Sequence, residues 1–263
     1  MKRVVVITGA SSGIGKCTAE ALVKRGCTVY DLSRRDVSEE GIHHIKTDIT
    51  DESSVSNAIV EIVRREGHID VLLNNAGFGI SGAVEFTDTE DAKRLFDVNF
   101  FGTVRVTRAV IPHMREAGKG RIVNVSSVAA VAPIPYQTFY SASKSAIMTY
   151  SMALANEVRD FGISVCTVLP GDIRTGFTGA REKRAEGDEV YGGRISRSVE
   201  KMERDEQGGM APEKAARKIA NIVLSNRRKP LYTIGLGYQC LSVLIKLLPA
   251  SLVNRIIKLL YAN

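Results

Sequence analysis

The feature that most constrains the fold of this chain is a glycine-rich turn between an apolar run and a segment of helical period. The run at residues 4–7 is entirely β-branched, Thr8 follows it, and the glycines then recur with the spacing GxxxGxG. Where a strand passes through such a turn into a helix, a pyrophosphate can approach the backbone and bind at the helix N-terminus. The turn is therefore predicted to bind a dinucleotide. Its predicted contact residues are Gly9, Ser11, Ser12, Gly13, Ile14 and Gly15.

Short apolar runs alternate with longer segments of helical period through most of the chain. The runs that predict strands lie at residues 4–7, 28–30, 43–45, 71–73, 122–125, 165–169 and 231–234. The segments that predict helices lie at residues 17–24, 55–65, 92–114, 141–159 and 211–224. This alternation predicts right-handed crossovers and a mostly parallel sheet. The expected fold class is α/β, a Rossmann-type doubly wound sheet with helices on both faces.

One domain spanning residues 1–263 is expected, because the chain contains no internal repeat or low-complexity linker. The connection at residues 33–42 is too short for a full crossover helix and is predicted to be a loop. Residues 171–209 are rich in Gly, Arg and Glu and have weak periodicity, which is typical of a mobile flap. Residues 238–263 form an apolar tail, predicted to be helical, that is interrupted by Pro249.

Composition excludes several classes of protein. Hydrophobic residues make up 44% and charged residues 25% of the chain, so the core should not need disulfides. The four cysteines are scattered without metal-ligand spacing, and no metal site is predicted. The net charge of +7 comes from basic residues interleaved with acids, so nucleic-acid binding is not expected. No stretch is long and apolar enough for a membrane span, and we expect a cytoplasmic protein.

The end of the second predicted strand is where enzymes of this architecture choose between NAD and NADP. The chain reads Ser33-Arg34-Arg35 there, and a guanidinium can bind a phosphate with two parallel hydrogen bonds. NADP(H) is therefore predicted, with Arg34 as the main phosphate contact. Asp31 is the rival, since strand alternation puts it on the same face as Ser33. If Asp31 reached the ribose, NAD(H) would be the cofactor.

Tyr140 and Lys144 lie four residues apart in a segment of helical period, so their side chains share one helix face. A free tyrosine has a pKa of about 10. A nearby ammonium group favours the phenolate and lowers that value. Tyr140 is therefore predicted to exchange a proton with a carbonyl or alcohol oxygen, and Lys144 to assist it and to bind the nicotinamide ribose.

These motifs and several others occur in a characteristic order, and the sequence resembles the short-chain dehydrogenase/reductase family. The strongest resemblance runs from about residue 2 to residue 175. Beyond the glycine turn and the Tyr140–Lys144 pair, the shared motifs are Asn74-Asn75-Ala76-Gly77, Asn99 in Val98-Asn99-Phe100-Phe101-Gly102, Ser126-Ser127, and Pro170-Gly171-Asp172-Ile173-Arg174-Thr175.

The resemblance implies roles for residues that spacing alone does not assign. It implies a catalytic tetrad of Asn99, Ser127, Tyr140 and Lys144. Ser127 would bind the substrate oxygen, Ser126 being the alternative, and Asn99 would hold a water that connects Lys144 to solvent. The implied cofactor contacts are Asp48 and Ile49 toward the adenine, Asn75, Ala76 and Gly77 toward the adenosine ribose, and Pro170, Gly171, Ile173 and Thr175 toward the nicotinamide. A homodimer or homotetramer, paired through the helices that begin near Ala92 and Ser141, is also implied.

The sequence departs from the family pattern at two places. The connection at residues 33–42 lacks the usual helix, which shortens the adenine side of the predicted site. The residue before Gly13 is Ser12, where many NADP-using members carry a basic residue. Arg34 and Arg35 are therefore the only evident contacts for the additional phosphate of NADP.

The sequence says less about the identity of the substrate than about the reaction type. The flap and the apolar tail resemble members that act on steroids, retinoids or acylated lipids, which suggests a hydrophobic ketone and its secondary alcohol. The tail has two interpretations. In the first, it covers the substrate pocket or contacts a membrane surface with Lys246, Arg255 and Lys258. In the second, it packs as a buried helix against the sheet or a partner subunit. We favour the buried helix.

Two other functions compete with the oxidoreductase prediction. A catalytically silent NADP-binding redox sensor or scaffold would keep the glycine turn but would not need all four tetrad residues, which are present. An epimerase or dehydratase of the same family would usually carry a longer C-terminal substrate domain.

Overall fold

The computed structural model describes residues 2–36 and 39–262. Its strands are β1 (Val4–Thr8), β2 (Thr28–Ser33), β3 (Ile42–Lys46), β4 (Val71–Asn74), β5 (Ile80–Ser81), β6 (Gly120–Val125), β7 (Ile163–Pro170), β8 (Glu182–Lys183) and β9 (Leu231–Ile234). Seven of them form one parallel sheet in the order β3-β2-β1-β4-β6-β7-β9, and β5 pairs with β8 separately. The predicted Rossmann-type sheet of about seven strands is confirmed.

Ten α-helices are described, of which the first eight lie between strands and the last two follow the final strand. They are α1 (Gly13–Val23), α2 (Glu52–Glu66), α3 (Thr89–Phe96), α4 (Gly102–Glu116), α5 (Thr138–Glu157), α6 (Phe177–Ala180), α7 (Arg194–Gln207), α8 (Pro212–Val223), α9 (Leu236–Leu247) and α10 (Ala250–Tyr261). The predicted loop between β2 and β3 contains no helix in its described residues, 34–36 and 39–41. Val37 and Ser38 lie outside the described residues.

Strand alternation divides the core into two layers. In β1, Val5 and Ile7 pack on one side of the sheet with α1 and α8. Val4 and Val6 pack on the other side with α2, α4 and α5. Every residue of β1 is buried, as expected for a parallel strand covered on both faces.

The order of the strands reverses at β1. From β1 the chain first builds outward through β2 and β3, and β4 then returns to the opposite side of β1. In a parallel sheet of this type, such a reversal opens a crevice at the carboxyl ends of the two strands. Thr8 at the end of β1 pairs with Asn74 at the end of β4, so the predicted glycine turn and the Asn74–Gly77 motif meet there.

The structure differs from the helix predictions at two places. The single helix expected at residues 92–114 is interrupted by a π-helical turn, Asp97–Phe101, between α3 and α4. The prediction of a flap at residues 171–209 placed no helix there, and the structure adds the fourteen-residue helix α7. Ile195, Val199 and Met202 give α7 a buried stripe at helical spacing.

The tail is helical, as predicted, and consists of α9 and α10. The favoured interpretation is a helix buried against the sheet or a partner subunit. Most of the tail's leucines are exposed in the single chain, so burial against the sheet is wrong, and burial against a partner subunit stays a prediction. Within the described residues, no helix is long and apolar enough to cross a membrane.

Candidate active site

Hydrogen bonds join the ends of β1 and β4 at the crevice. The Thr8 hydroxyl oxygen accepts from the backbone N–H groups of Asn75 and Ala76, at 3.0 Å each. The Asn75 amide donates to the backbone carbonyls of Thr8 and Gly9, at 3.1 Å each. The Asn75–Gly77 segment therefore fixes the position of the glycine turn.

The glycines of the turn are required by close backbone contacts. Gly9 has a φ of +71°, and a Cβ there would lie 2.9 Å from the Ala76 Cα. A Cβ on Gly15 would lie 2.4 Å from both the Asn75 amide nitrogen and the Gly9 carbonyl oxygen. Gly13 has a φ of +57° and faces Thr175. A side chain at Gly9 or Gly15 would push the turn away from β4 and change the shape of the crevice.

The N-terminus of α1 is open toward this crevice. Ser12 is its N-cap residue but, among the described residues, makes no side-chain cap bond, and the first turn holds no acidic residue. The first backbone N–H groups of a helix have no partner within the helix, and they attract anions. The open helix end and the close-packed glycines fit a dinucleotide pyrophosphate.

Asp31 is buried and fully occupied by protein partners. One carboxylate oxygen accepts from the Ala10 backbone N–H at 2.7 Å. The other accepts from the Ser33 hydroxyl at 2.6 Å and lies 2.9 Å from the His44 Nδ1. The carboxylate therefore holds the glycine turn and the end of β2 together and does not project toward a ribose.

The two arginines after β2 interact with different residues of the predicted cofactor site. Arg35 donates from Nη2 to the hydroxyls of Ser11 and Ser12, at 3.0 and 2.9 Å, and so reaches the glycine turn. Arg34 interacts electrostatically with Asp48. Burial opposes the charged form of Asp48, but hydrogen bonds from Thr50 and the positive charge of Arg34 hold its pKa below the usual value. Ile49, next to Asp48, is buried against Gly102.

Tyr140, Lys144 and Ser127 come together beside the crevice. Ser127 lies beside Tyr140, and the Lys144 Nζ lies 5.7 Å from the centre of the Tyr140 ring. Burial raises the pKa of Tyr140 to about 12, although the Ser127 hydroxyl acts in the opposite direction. Burial lowers the pKa of Lys144 to about 8. Each group is therefore pushed toward its neutral form, and the arrangement can transfer a proton.

Ser126 and Ser127 face different partners, as expected for neighbours at a strand end. The Ser126 hydroxyl is buried and donates to the Lys144 backbone carbonyl at 2.7 Å, so it anchors α5 to β6. The Ser127 oxygen accepts from the Ala129 N–H at 3.1 Å, and the Ser127 hydroxyl favours the phenolate form of Tyr140. Ser127 is the serine that lies next to the tyrosine hydroxyl.

Asn99 lies in the π-helical turn and is completely buried. Its side-chain amide exchanges two hydrogen bonds with the backbone of Phe78, both of 3.0 Å. A Cβ on Gly77 would lie 2.9 Å from the Asn99 Oδ1 and 3.5 Å from the Lys144 Nζ, so these two side chains border the same glycine. The turn thus positions Asn99 next to Lys144, a use of π-helical geometry common at functional sites.

The segment after β7 closes the other side of the crevice. Pro170 ends β7, the Gly171 N–H bonds the end of β9, and Ile173 forms a bridge with Met210. Thr175 lies beside Gly13, within 4 Å of a Cβ placed there. This segment therefore crosses from the end of β7 to the glycine turn.

Sequence analysis missed several residues that shape the site. Thr8 connects the two strands, and the signal for it was a polar residue at the end of an otherwise apolar run. Phe177 lies 5.8 Å from the Tyr140 ring, centre to centre, and Tyr238 from α9 packs on Gly171 and hydrogen-bonds Asp172. Neither aromatic residue had a local signal, because each reaches the site only through tertiary folding.

The model of the short chain dehydrogenase family matches residues 3–186. A protein of Bacteroides thetaiotaomicron named 3-ketodihydrosphingosine reductase is 42% identical over 238 residues, 89% of this chain and 88% of that protein. The solved structure of ElxO with NADP bound is 29% identical, with a TM-score of 0.76 over 91% of this chain and all of that one. A 3-ketoacyl-(acyl-carrier-protein) reductase from Brucella melitensis complexed with NADH is 26% identical, with a TM-score of 0.74 over 88% and 96% of the two chains.

These matches define the class of protein. The chain belongs to the short-chain dehydrogenase/reductase family, as its motifs indicated. It is an oxidoreductase of the kind that uses a nicotinamide cofactor. The similar structures include one with NADP and one with NADH, so the choice between the two cofactors rests on the residues of this chain.

Proposed function

We propose that this protein is an NADPH-dependent reductase of a long-chain aliphatic ketone. The observation that carries the proposal is the position of Tyr140 beside Lys144 and Ser127, with Lys144 and Asn99 bordering Gly77 at the edge of the crevice where the glycine turn lies. The similarity to a 3-ketodihydrosphingosine reductase supports an amino ketone with a long alkyl chain as the substrate. Phe177, packed against Tyr140, supplies apolar surface beside the reacting oxygen.

The catalytic roles follow from this geometry. A reduced nicotinamide held by the glycine turn, Tyr140 and Lys144 would supply the hydride for the carbonyl carbon. Ser127 donates a hydrogen bond to the carbonyl oxygen, and the Tyr140 hydroxyl gives that oxygen a proton, which completes the secondary alcohol. The Lys144 ammonium stabilises the phenolate that remains. Asn99, fixed by the Phe78 backbone, holds the path by which Lys144 exchanges protons with solvent.

The preference for NADPH is proposed from the charges at the end of β2. Arg34 and Arg35 follow Ser33 directly, and Arg35 already reaches Ser11 and Ser12 of the glycine turn. Asp31, the residue that would favour NADH, is occupied by Ala10, Ser33 and His44. A phosphate on the adenosine ribose would therefore meet two guanidinium groups and no free carboxylate from β2.

The cofactor proposal is tested by steady-state kinetics with both reduced cofactors. Arg34→Ala and Arg35→Ala should each raise the KM for NADPH roughly tenfold or more, the size expected for loss of a charged hydrogen bond. The KM for NADH should change much less. Arg25→Ala is the matched control, since Arg25 bonds Asn221 on the surface between α1 and α8. Equal changes for the two cofactors would refute the assignment.

The catalytic proposal is tested with Tyr140→Phe, which keeps the ring and removes only the hydroxyl. Purified protein is mixed with NADPH and a series of 3-keto lipids of increasing chain length, and loss of the reduced nicotinamide is followed by absorbance. Turnover should rise with chain length and fall by at least about a thousandfold in the variant, while NADPH binding is retained. Full NADPH binding with no turnover of any ketone would instead favour the silent sensor or scaffold.

A further inference from the structure

The two C-terminal helices leave an apolar surface uncovered. Of the fifteen large apolar side chains that are exposed in the described part of the chain, nine lie in α9 and α10. They are Leu236, Leu241, Val243, Leu244, Leu247, Leu252, Ile256, Leu259 and Leu260. Single exposed leucines are ordinary on protein surfaces, but a contiguous group of this kind marks an interaction site.

In α9 the exposed side chains lie on one face. Leu236, Val243 and Leu247 recur at helical spacing and are 78%, 60% and 76% exposed. The opposite face holds Ser242, which is buried, and Tyr238, which bonds Asp172. The helix is therefore attached to the protein by its polar face, and its apolar face points to solvent.

In α10 the apolar residues form a broad band with two parts. Val253 and Ile257 are buried against the protein. Leu252, Ile256 and Leu259 lie beside them at i, i+4 and i+7 and are exposed. A helix that only packed against its own domain would need the buried apolar residues and not the exposed ones.

The charges of the tail are all of one sign. Residues 236–262 contain Lys246, Arg255 and Lys258 and no acidic residue, although the whole chain has 29 acidic residues. All three basic residues are exposed. An apolar face flanked by cations is complementary to the surface of a bilayer that contains anionic lipids.

The tail also lies beside the candidate active site. Tyr238 in α9 packs on Gly171 and bonds Asp172, which belong to the segment that closes the crevice. Tyr261 at the end of α10 donates to Asp205 of α7, the helix of the substrate flap, at 3.1 Å. A molecule held against the tail would therefore be next to the flap.

We propose that α9 and α10 form a docking surface for an anionic lipid bilayer. The exposed leucines insert into the boundary between headgroups and acyl chains, and the three cations contact the headgroups. Docking places the flap at the bilayer, so that a lipid ketone can pass from the membrane to the crevice. The passage of substrate rests on the proposed function, whereas the docking does not.

Docking is measured by flotation of the full-length protein with vesicles and needs neither substrate nor turnover. The vesicles are phosphatidylcholine alone, or phosphatidylcholine with about one third phosphatidylglycerol to provide anionic headgroups. The wild-type protein should float with the anionic vesicles and bind the neutral ones much more weakly. Replacing Lys246, Arg255 and Lys258 by Gln should weaken binding about fivefold for each cation removed.

Apolar insertion is tested with the double substitution Leu247→Glu and Leu259→Glu, which should abolish flotation. Val60→Glu is the matched control, because Val60 is 56% exposed on α2 and lies outside the tail. The control should float like the wild type. Thermal unfolding and NADPH binding verify that each variant is folded, and loss of flotation in Val60→Glu would overturn the proposal.

A second measurement uses a thiol already present in the tail and leaves the apolar side chains of the tail unchanged. Cys240 is exposed on the apolar face of α9, whereas Cys27 and Cys166 are buried. In a Cys17→Ser background, a polarity-sensitive dye on Cys240 should shift its emission to the blue when anionic vesicles are added. A dye on Val60→Cys, with Cys240→Ser, should show no shift.

Two results would refute lipid docking. One is the absence of flotation and of a dye shift in the wild-type tail, even if ketone reduction is observed. The other is a protein that binds no vesicles and forms a dimer in sedimentation velocity, where the Glu substitutions dissociate that dimer. This result would mean that a second copy of the chain covers the surface. Failure of the ketone assay with intact vesicle binding would count against the proposed function alone.

Discussion

Lys144 shows how a single residue can serve chemistry at the expense of stability. Its side chain is buried and its ammonium donates to the Val125 carbonyl at 3.1 Å. Burial holds its pKa at about 8, below the ordinary value of 10.5. Between these two pH values the unfolded chain binds more protons than the folded one, so stability increases as the pH rises. Below about pH 8 the folded protein bears the full cost of the buried charge.

Lys144→Met should therefore stabilise the cofactor-free protein at pH 7 while abolishing turnover. The shape is kept and the buried charge is removed, and the gain in free energy of unfolding should be about 1–3 kcal/mol after loss of the Val125 hydrogen bond. Urea unfolding at neutral pH measures the gain, which should shrink near pH 10. Lys246→Met, at an exposed position, should change stability by only a few tenths of a kcal/mol. A less stable Lys144→Met protein at pH 7 would contradict this account.

The local sequence could identify some site residues but not others. Tyr140 and Lys144 were predictable because four residues in a helix bring side chains to one face, and the structure places them together. The contact of Arg35 with Ser11 and Ser12 could not be predicted, because the path of a short loop decides which of two adjacent arginines reaches the glycine turn. Asp31 shares a strand face with Ser33, the residue at the position where an NAD enzyme would carry its acid, and only its three partners show that the Asp31 carboxylate is occupied.

Among the elements, the glycine turn gives the sharpest prediction. Gly15 lies in the first turn of α1, where alanine would normally favour the helix, yet a Cβ there would meet Asn75 and Gly9 at 2.4 Å. Gly15→Ala should therefore displace the turn, destabilise the protein by about 1–3 kcal/mol and weaken NADPH binding at least about tenfold. Fluorescence titration and thermal unfolding measure both effects.

Gly237→Ala provides the matched control for that experiment. Gly237 lies in α9, and apart from its chain neighbours and the adjacent backbone of the helix, no described atom lies within 4 Å of a Cβ placed there. The substitution should stabilise the protein by up to about 1 kcal/mol, as helix propensity predicts, and leave NADPH binding unchanged. Equal behaviour of the two variants would show that the contact with Asn75 does not constrain the turn.

The elements that the sequence predicted well are those whose burial pattern is simple. All seven strands of the main sheet were identified. The inner strands β1, β4 and β7 are buried apolar runs, as expected of parallel strands that are covered on both faces. The π-helical turn at Asp97–Phe101 was missed, because one additional residue in a turn does not disturb the apolar period on either side. Helix α7 was missed because its buried stripe of Ile195, Val199 and Met202 is diluted by charged residues.

At the scale of the whole molecule, the alternation of strands and helices in the sequence predicted the sheet topology. It did not predict which apolar surfaces stay exposed. Strand–helix alternation predicts a doubly wound sheet because crossovers in such sheets are right-handed. The apolar tail was expected to be buried, and its composition could not show that a polar face, through Tyr238 and Ser242, attaches α9 to the protein. Which face of an amphipathic helix meets its own domain depends on tertiary contacts.

The remaining prediction concerns the assembly of the molecule. The family resemblance implies pairing through helices that begin near Ala92 and Ser141, and α5 together with the π-helical turn occupies that region. Met152 on α5 and Phe101 in the turn are 50% and 49% exposed, and aromatic contacts from Phe100 to Phe101 and to Tyr150 connect the two elements. Apolar side chains on rigid, connected elements are the kind of surface that a symmetric dimer buries.

We therefore expect the wild-type protein to be at least a dimer in solution, and Met152→Glu to shift it toward the monomer. A charge placed at the centre of an interface must be desolvated twice in a symmetric dimer, so dissociation should be favoured by a factor of ten or more, about 1.4 kcal/mol. Sedimentation velocity over a range of concentrations measures the shift. Val190→Glu, at a 76% exposed position outside these helices, should leave the assembly unchanged. A wild-type protein that stays monomeric would contradict pairing through Met152 and Phe101. That result would not affect the membrane docking proposed for the tail.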